Sequence, residues 1–369
     1  MAALPETMKA IKTRYKGVAE IEPAAKFPCK PDQLPDTYIL IKTSHVALNP
    51  TDWKHIDFLG PPNHTVGCDV CGTVVAVGAK VTKAYKPGDR AAGAAHGVKL
   101  GCPEKGAFGE YALLKGDVTI KVPAGISDAE ASTVGVGITT VGQALYQTLG
   151  LPWPDQSDAG VAGAAAGDAV LVYGGSTATG LFALQLAKLS GLRVLTTCSP
   201  KNFDLVKEFG ADEAFDYSKG EGCSAAISAA AGGKLLYAFD CISTGASAKI
   251  CADALSKTAA EGQPRPHYTS LIPLEFPRDD VKSGYTLAYT VNGEPFEFRD
   301  GKKVPDSPED FKFGVKFWAV VEKLIAEKKL KLFPTVKEGG FEGVLQGLEL
   351  LRKNKVSGQK LVYKIGSDA

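Results

Sequence analysis

The first third of the chain carries short apolar runs, YILIKTSHVAL (38–48), CGTVVAVG (71–78) and AFGEYALL (107–114), separated by Gly, Pro and Asp turns. Runs of this length, bounded by turn residues, predict the strands of a compact, mostly β module over residues 1–134. The pattern then changes. In DAVLVYGGSTATGLFALQLAKLSGLRVLTTCS (168–199) an apolar strand enters a glycine turn, an amphipathic helix and a second apolar strand, a βαβ unit that predicts parallel sheet. KNFDLVKEFGADEAFDY (201–217) adds a helix stopped at Gly210 and a short strand, and LLYAFDCIS (235–243) adds another strand. Residues 135–292 thus read as an α/β, doubly wound domain. The Pro-, Gly- and Ala-rich stretch 149–168 predicts an exposed insertion ahead of its first strand. Helix DFKFGVKFWAVVEKLIAEKKL (310–330) and strand QKLVYKI (359–365) remain, and residues 293–369 are assigned back to the first module.

At 369 residues the chain holds two domains of ordinary size. Its composition, 44% hydrophobic and 22% charged, is that of a globular protein, and a net charge of +1 argues against a strongly basic nucleic-acid or membrane surface. No uninterrupted apolar run of about 18 residues occurs, and MAALPETMKAIKTRYKG lacks a long apolar signal core, so no membrane span is predicted and the expected location is cytoplasmic. The eight cysteines are scattered through a chain that needs no staples, so free thiols are expected.

The strict G-x-G-x-x-G spacing is absent. Gly174, Gly175 and Gly180 nevertheless permit a tight turn after strand AVLVY, and Ser176, Thr177 and Thr179 can donate hydroxyl hydrogen bonds to a pyrophosphate at the helix N-terminus. An ordinary βα turn is the alternative, and three hydroxyls crowded between glycines argue for the nucleotide. The second strand ends in Ser199, Pro200, Lys201 and Asn202, where NAD sites place an Asp or Glu for the ribose diol. A 2′-phosphate suits a hydroxyl and an ammonium, so NADPH is favoured. Asp204 is a counterweight, and a solvated Lys201 at a helix start is the other reading. Tyr217 suits an adenine face or a partly buried core position.

With ALNPTDWKH (47–55), GCDVCGTVVAVG (67–78), GITTVG (137–142) and VSGQKLV (356–362), nearly the whole chain resembles the zinc-free, quinone-reductase-like branch of the medium-chain dehydrogenases/reductases. Within that branch it is similar to the trans-acting enoyl reductases of fungal polyketide synthesis, the lovastatin type. The resemblance implies a GroES-like catalytic domain built from both chain ends around a Rossmann domain, with the cofactor in the cleft. It implies a nicotinamide-side contact from Pro50, Thr51, Asp52 and Trp53. Further cofactor contacts are implied from Ser176, Thr177, Ala178 and Thr179, from Ser199, Pro200, Lys201 and Asn202, from Tyr217, Leu271 and Ile272, and from Val356 and Ser357. Walls of a substrate pocket are implied from Val136, Gly137, Ile138, Thr139, Thr140, Val141, Gly142 and Gln143, and from Leu287, Ala288, Tyr289, Thr290 and Val291.

Zinc-dependent relatives need a Cys before a Thr/Ser-Asp pair, a Gly-His-Glu segment and a later ligand. Here Asn49 precedes Pro50-Thr51-Asp52, while Cys68 and Asp69 stand at the His and Glu positions. The lobe of four close cysteines is missing, so no metal is expected. Cys68 and Cys71 read as small apolar fillers, because residues three apart on a strand face opposite sides of the sheet. Spacing alone leaves open a site from His64, Cys68, Cys71 and His96 or Cys102.

Without a Lewis acid, alcohol oxidation is disfavoured and conjugate reduction favoured. In that reaction hydride reaches the β-carbon of an enoyl thioester or enone, charge moves to the carbonyl oxygen, and a proton reaches the α-carbon. Lys54 and Thr139, with Thr140, are the donors expected near the nicotinamide. A surface Lys54 lying over Trp53 is the other reading. His55 reads as a rival acid or as a solvated or capping histidine, and Tyr289 as another donor. The resemblance implies an NADPH-dependent enoyl reductase whose acyl chain arrives on the acyl-carrier protein of a polyketide synthase or synthase-peptide synthetase hybrid. A free-standing reductase of quinones or small α,β-unsaturated carbonyls, and a non-catalytic NADPH-binding protein, are the alternatives.

Overall fold

A computed structural model describes residues 4–154, 167–257 and 265–365. The chain divides into two compact units, one of Met1–Val136 with Tyr289–Ala369 and one of Gly137–Ala288. Tyr289 to Asn292, expected with the nucleotide-binding domain, therefore belong to the first unit. Residues 155–166 of the expected insertion lie outside the described residues.

The first unit opens with the antiparallel pair β1 (Thr7–Tyr15) and β2 (Val18–Lys26). Its main sheet takes β3 (Tyr38–Ala47), β4 (Asp69–Val77), β5 (Arg90–Ala94), β6 (Tyr111–Lys115) and β7 (Thr119–Lys121). Helix α1 (Pro50–Lys54) fills the β3–β4 connection, and α2 (Asp128–Ala131) follows β7. Helix α3 (Val136–Gly142) then leads into the second unit.

In that unit the apolar runs form β8 (Ala169–Tyr173), β9 (Arg193–Cys198), β10 (Glu213–Asp216), β11 (Tyr237–Asp240), β12 (His267–Ser270) and β13 (Lys282–Tyr285). All pairings are parallel, in the order β10-β9-β8-β11-β12-β13. The chain winds outward from β8 in both directions, so β8 and β11 flank the switch point, where doubly wound sheets open a crevice beyond the carboxyl ends of the strands. Helix α4 (Ala178–Leu189) is buried over most of its length, as its nearly all-apolar sequence requires.

The chain returns to the first unit with a hairpin of β14 (Phe296–Glu297) and β15 (Lys303–Val304), helix Pro308–Ala326, β16 (Pro334–Lys337), helix Gly340–Arg352 and β17 (Lys360–Lys364). The sheet order is β16-β17-β3-β4-β5-β7, with β6 also on β3. Phe341, Val344 and Leu348, on one stripe of helix 340–352, belong to one buried apolar cluster with Val46, Val70, Leu361 and Tyr363. Because β17 pairs antiparallel with β3 at Val362 and Ala47, the last strand lies beside the segment that enters α1. No helix among the described residues is long and apolar enough to cross a membrane.

Candidate active site

In the first unit, Pro50 opens α1 and Asp52 reaches back to accept the Asn49 N–H at 2.7 Å. Arg352 grips Asp57 with two hydrogen bonds, of 3.0 and 2.8 Å, and its guanidinium stands 6.0 Å from the Trp53 ring centre. Helix 340–352 thus braces the Pro50–Trp53 segment. Lys54 is exposed, with its ammonium 5.8 Å from the Trp53 ring, the geometry of a surface lysine over an aromatic. Val356 and Ser357 lie on the loop leaving that helix, half-buried and exposed respectively.

Thr51 Oγ1 lies 3.2 Å from His55 Nε2 and 3.1 Å from the Tyr289 hydroxyl, which is 3.4 Å from the same nitrogen. The other ring nitrogen, Nδ1, donates to the Gly97 carbonyl at 2.9 Å, so Nε2 is an acceptor. Burial pushes His55 down to about 4 and leaves it neutral at pH 7. Buried and neutral, His55 is neither an acid with a neutral pKa nor a solvated histidine, but it does stand at the C-cap of α1. Tyr289 stacks flat on His96, with centroids 3.8 Å apart, and its hydroxyl is 3.5 Å from Cys68 Sγ.

Cys68 faces Tyr289, whereas Cys71 faces the surroundings of Asp128 and Arg90, and burial pushes both thiols up. The set His64, Cys68, Cys71 with His96 or Cys102 is not assembled: among the described residues no three His, Cys, Asp or Glu side chains are grouped to hold a metal ion. Asn49 and Asp69, which stand where zinc-dependent relatives have a Cys and the Glu of Gly-His-Glu, flank an ammonium. Lys360 Nζ donates to Asn49 Oδ1 at 2.5 Å and to Asp69 Oδ2 at 2.7 Å, and Asp69 Oδ1 accepts the Val136 N–H at 2.7 Å. Sequence reasoning missed this lysine, because nothing local in VSGQKLV distinguishes it from a solvated one.

In the second unit, β8 is followed by Gly174, at φ +82°, where a Cβ would meet Ile242 at 2.8 Å. A Cβ on Gly175 would collide with Thr196 Oγ1, and one on Gly180 with the Gly174 carbonyl. Thr197 holds the turn from β9, accepting the Gly174 N–H through its hydroxyl and the Gly175 N–H through its carbonyl, each at 3.0 Å. The Thr177 hydroxyl donates to the Gly174 carbonyl and accepts the Gly180 N–H, both at 2.9 Å. Its one proton goes to the Gly174 carbonyl, and its oxygen, by accepting the Gly180 N–H, caps α4. Ser176, Ala178 and Thr179 are half-buried on the same turn.

Beyond β9, Ser199 Oγ lies 3.2 Å from the Tyr217 hydroxyl, Lys201 is exposed and Asn202 is buried. Pro200 opens the short turn between them. Tyr217 is 44% exposed, which rules out the core reading. Ile272 is largely exposed after β12, and the Leu271 N–H donates to Ser243 Oγ at 2.8 Å. Ile242 and Ser243 were missed: Asp240 Oδ1 accepts both their N–H groups at 2.9 Å, aiming an exposed Ile242 over the glycine turn. Their place at the end of β11, beside the switch point, was the available signal.

Of the expected substrate walls, Ile138, Thr139, Val141 and Gln143 are buried in or just after α3, with Val136, Gly137 and Gly142, while Thr140 is half-buried. The segment 287–291 is divided: Leu287 and Ala288 belong to the second unit, Tyr289, Thr290 and Val291 to the first. Val291 is buried and packs against Gly314 inside the first unit.

Residues 35–124 match the alcohol dehydrogenase GroES-like domain family, and residues 178–262 the zinc-binding dehydrogenase family. The trans-enoyl reductase ACTTS2 of Alternaria alternata is 44% identical over 97% of this chain and 99% of its own length. The trans-enoyl reductase resD of Aspergillus sclerotiorum is 44% identical over 89% of this chain and 93% of its own. Among solved structures, the CurK enoyl reductase shares the fold, with a TM-score of 0.71 at 16% identity, covering 97% of this chain and 99% of that one.

Proposed function

Since the chain belongs to the trans-enoyl reductases of the medium-chain dehydrogenase/reductase superfamily, we propose that it reduces, with NADPH, the α,β-double bond of an acyl thioester presented by a partner polyketide synthase on its acyl-carrier protein. The observation that carries this reading is 44% identity along 97% of the chain to a protein named a trans-enoyl reductase.

The residues fit the cofactor. Three glycines leave the turn after β8 bare of Cβ atoms, which suits close approach of a pyrophosphate to the N-terminus of α4. Ser176, Ala178 and Thr179 would line it there. Ser199 and Lys201, with Pro200 and Asn202 shaping the turn, would hold a 2′-phosphate, and Tyr217 would lie on the adenine. Leu271 and Ile272, Pro50 to Trp53, and Val356 with Ser357 are the remaining proposed contacts. Bound NADPH would supply the hydride that reduces the β-carbon, and a proton from solvent would complete the α-carbon.

Lys54 and Thr139 are proposed to donate hydrogen bonds to the thioester carbonyl oxygen, where negative charge collects as the β-carbon is reduced. Fixed donors at that atom lower the barrier because the charge is larger in the transition state than in the substrate. Thr140, Leu287, Ala288 and Thr290, the half-buried members of the two substrate segments, are the proposed contacts of the acyl chain.

The test is steady-state oxidation of NADPH, with NADH as control, on an enoyl-pantetheine thioester, the matching simple enone and a quinone. Faster turnover of the thioester with NADPH is expected. Preference for the enone or quinone would favour a free-standing reductase, and equal rates with NADH would remove the 2′-phosphate assignment.

A further inference from the structure

Lys360 is 2% exposed, and both hydrogen bonds of its ammonium go to residues that flank α1 and the exit toward α3. A charge this buried is tolerated only with partners, and Asp69, itself fully buried, supplies the counter-charge at 2.7 Å. The second oxygen of Asp69 fixes the Val136 backbone, and a Cβ on Gly135 would collide with it. The remaining partner, Asn49, is the residue from which α1 starts. Its backbone N–H and carbonyl are exchanged with Asp52, and its side-chain Nδ2 has no partner among the described residues. Through its Oδ1 the Asn49 side chain accepts from Lys360.

We propose that Lys360 is a positioning residue for hydride transfer, holding Pro50–Trp53 in register through Asn49. The inference rests on the reading that this segment meets the nicotinamide. Nothing in it requires Lys360 to touch cofactor or substrate: a rigid second layer sets the first, and a displacement of about 1 Å in such a segment slows a hydride step about a hundredfold.

The test uses the full chain as wild type, Lys360→Met, Asn49→Ala and Asn49→Asp. Each is compared for NADPH affinity by fluorescence titration, for steady-state reduction of an enoyl-pantetheine thioester, and for melting temperature. Asn49→Ala cuts the tie yet keeps the Lys360–Asp69 pair, so it decides the matter should Lys360→Met fail to fold. Expected for Asn49→Ala, and for folded Lys360→Met, is a fall in kcat of about thirtyfold or more, with the Kd for NADPH and the KM for thioester each within about threefold. Asn49→Asp, whose carboxylate still accepts from Lys360, is expected to recover kcat to within about threefold of wild type.

Wild-type kcat in folded Asn49→Ala overturns the inference, as does an Asn49→Asp enzyme as slow as Asn49→Ala. Loss of folding in Asn49→Ala overturns it too, since the tie is then purely structural. A wild-type chain that binds no NADPH sinks the cofactor reading, and the inference with it; a wild-type chain that turns over while the variants match it sinks the inference alone.

Discussion

Asp52 and Asp69 are two fully buried carboxylates near one ammonium, and of the two it is Asp69 that the ammonium hydrogen-bonds. Burial, then the charge of Asp69, push the Asp52 carboxyl up from 3.8 to about 7. A group whose folded value is raised contributes stability below its unfolded value, and that contribution is lost as pH rises through the folded one. Wild-type stability should therefore decline between about pH 4 and pH 7 on this account. Asp52→Asn carries no such penalty, and its unfolding free energy should gain on wild type by roughly 2 kcal/mol between pH 5 and pH 8, read by urea titration. A gap that stays constant across that range would refute the shift. At the other proposed contact, Lys201→Glu should raise the KM for NADPH by about tenfold or more and leave that for NADH nearly unchanged, because it sets a negative charge against a 2′-phosphate.

At the scale of one element, the turn from β8 to α4 separates hydroxyls that cap from hydroxyls that remain for a ligand. Thr177→Val removes the cap on the Gly180 N–H and the bond to the Gly174 carbonyl, so it should cost about 1 kcal/mol in thermal unfolding. The same change should move the Kd for NADPH by less than about threefold, since that proton already belongs to Gly174. Gly180→Ala should damage both properties, because its Cβ is driven into the Gly174 carbonyl and backbone cannot step aside as a side chain can. If Thr177→Val weakens NADPH binding as strongly as Gly180→Ala, the assignment of its hydroxyl to the cap is wrong.

Across the first unit, a single carboxylate joins distant parts of the chain. Glu294, just past the return at Tyr289, meets Lys99 at 3.2 Å, Lys105 at 3.3 Å and Lys115 at 3.0 Å. Burial alone would raise its pKa, but Lys105, Tyr38 and Lys115 outweigh burial and hold it down to about 2, against the usual 4.5. A depressed carboxylate contributes stability above its unfolded value, lost as pH falls through the folded one. Glu294→Gln should thus be less stable than wild type by on the order of 2 kcal/mol at pH 7, with the gap closing as pH falls from about 4.5 toward 2. Chemical denaturation at pH 7, 4 and 3 reads this directly, and a gap independent of pH would argue for simple packing.

Periodicity and turn residues in the sequence determined the elements: the β runs of 38–48 and 71–78, the βαβ unit of 168–199 and the stop at Gly210 all depend on local propensity and spacing. The glycines after β8 were readable for the same reason, since the need for φ > 0 and bare backbone is local. Only the tertiary structure decided which polar groups are consumed internally. Thr177 and Thr179 look alike in STATG, but the cap takes Thr177. His55 looks titratable until burial and the Gly97 carbonyl neutralise it. Lys360 looks solvated until β17 pairs with β3 and carries it beside Asn49 and Asp69, some 300 residues away in sequence. Burial and long-range pairing belong to the folded chain as a whole, and they set charge state and hydrogen-bond partners, which no local window of residues contains.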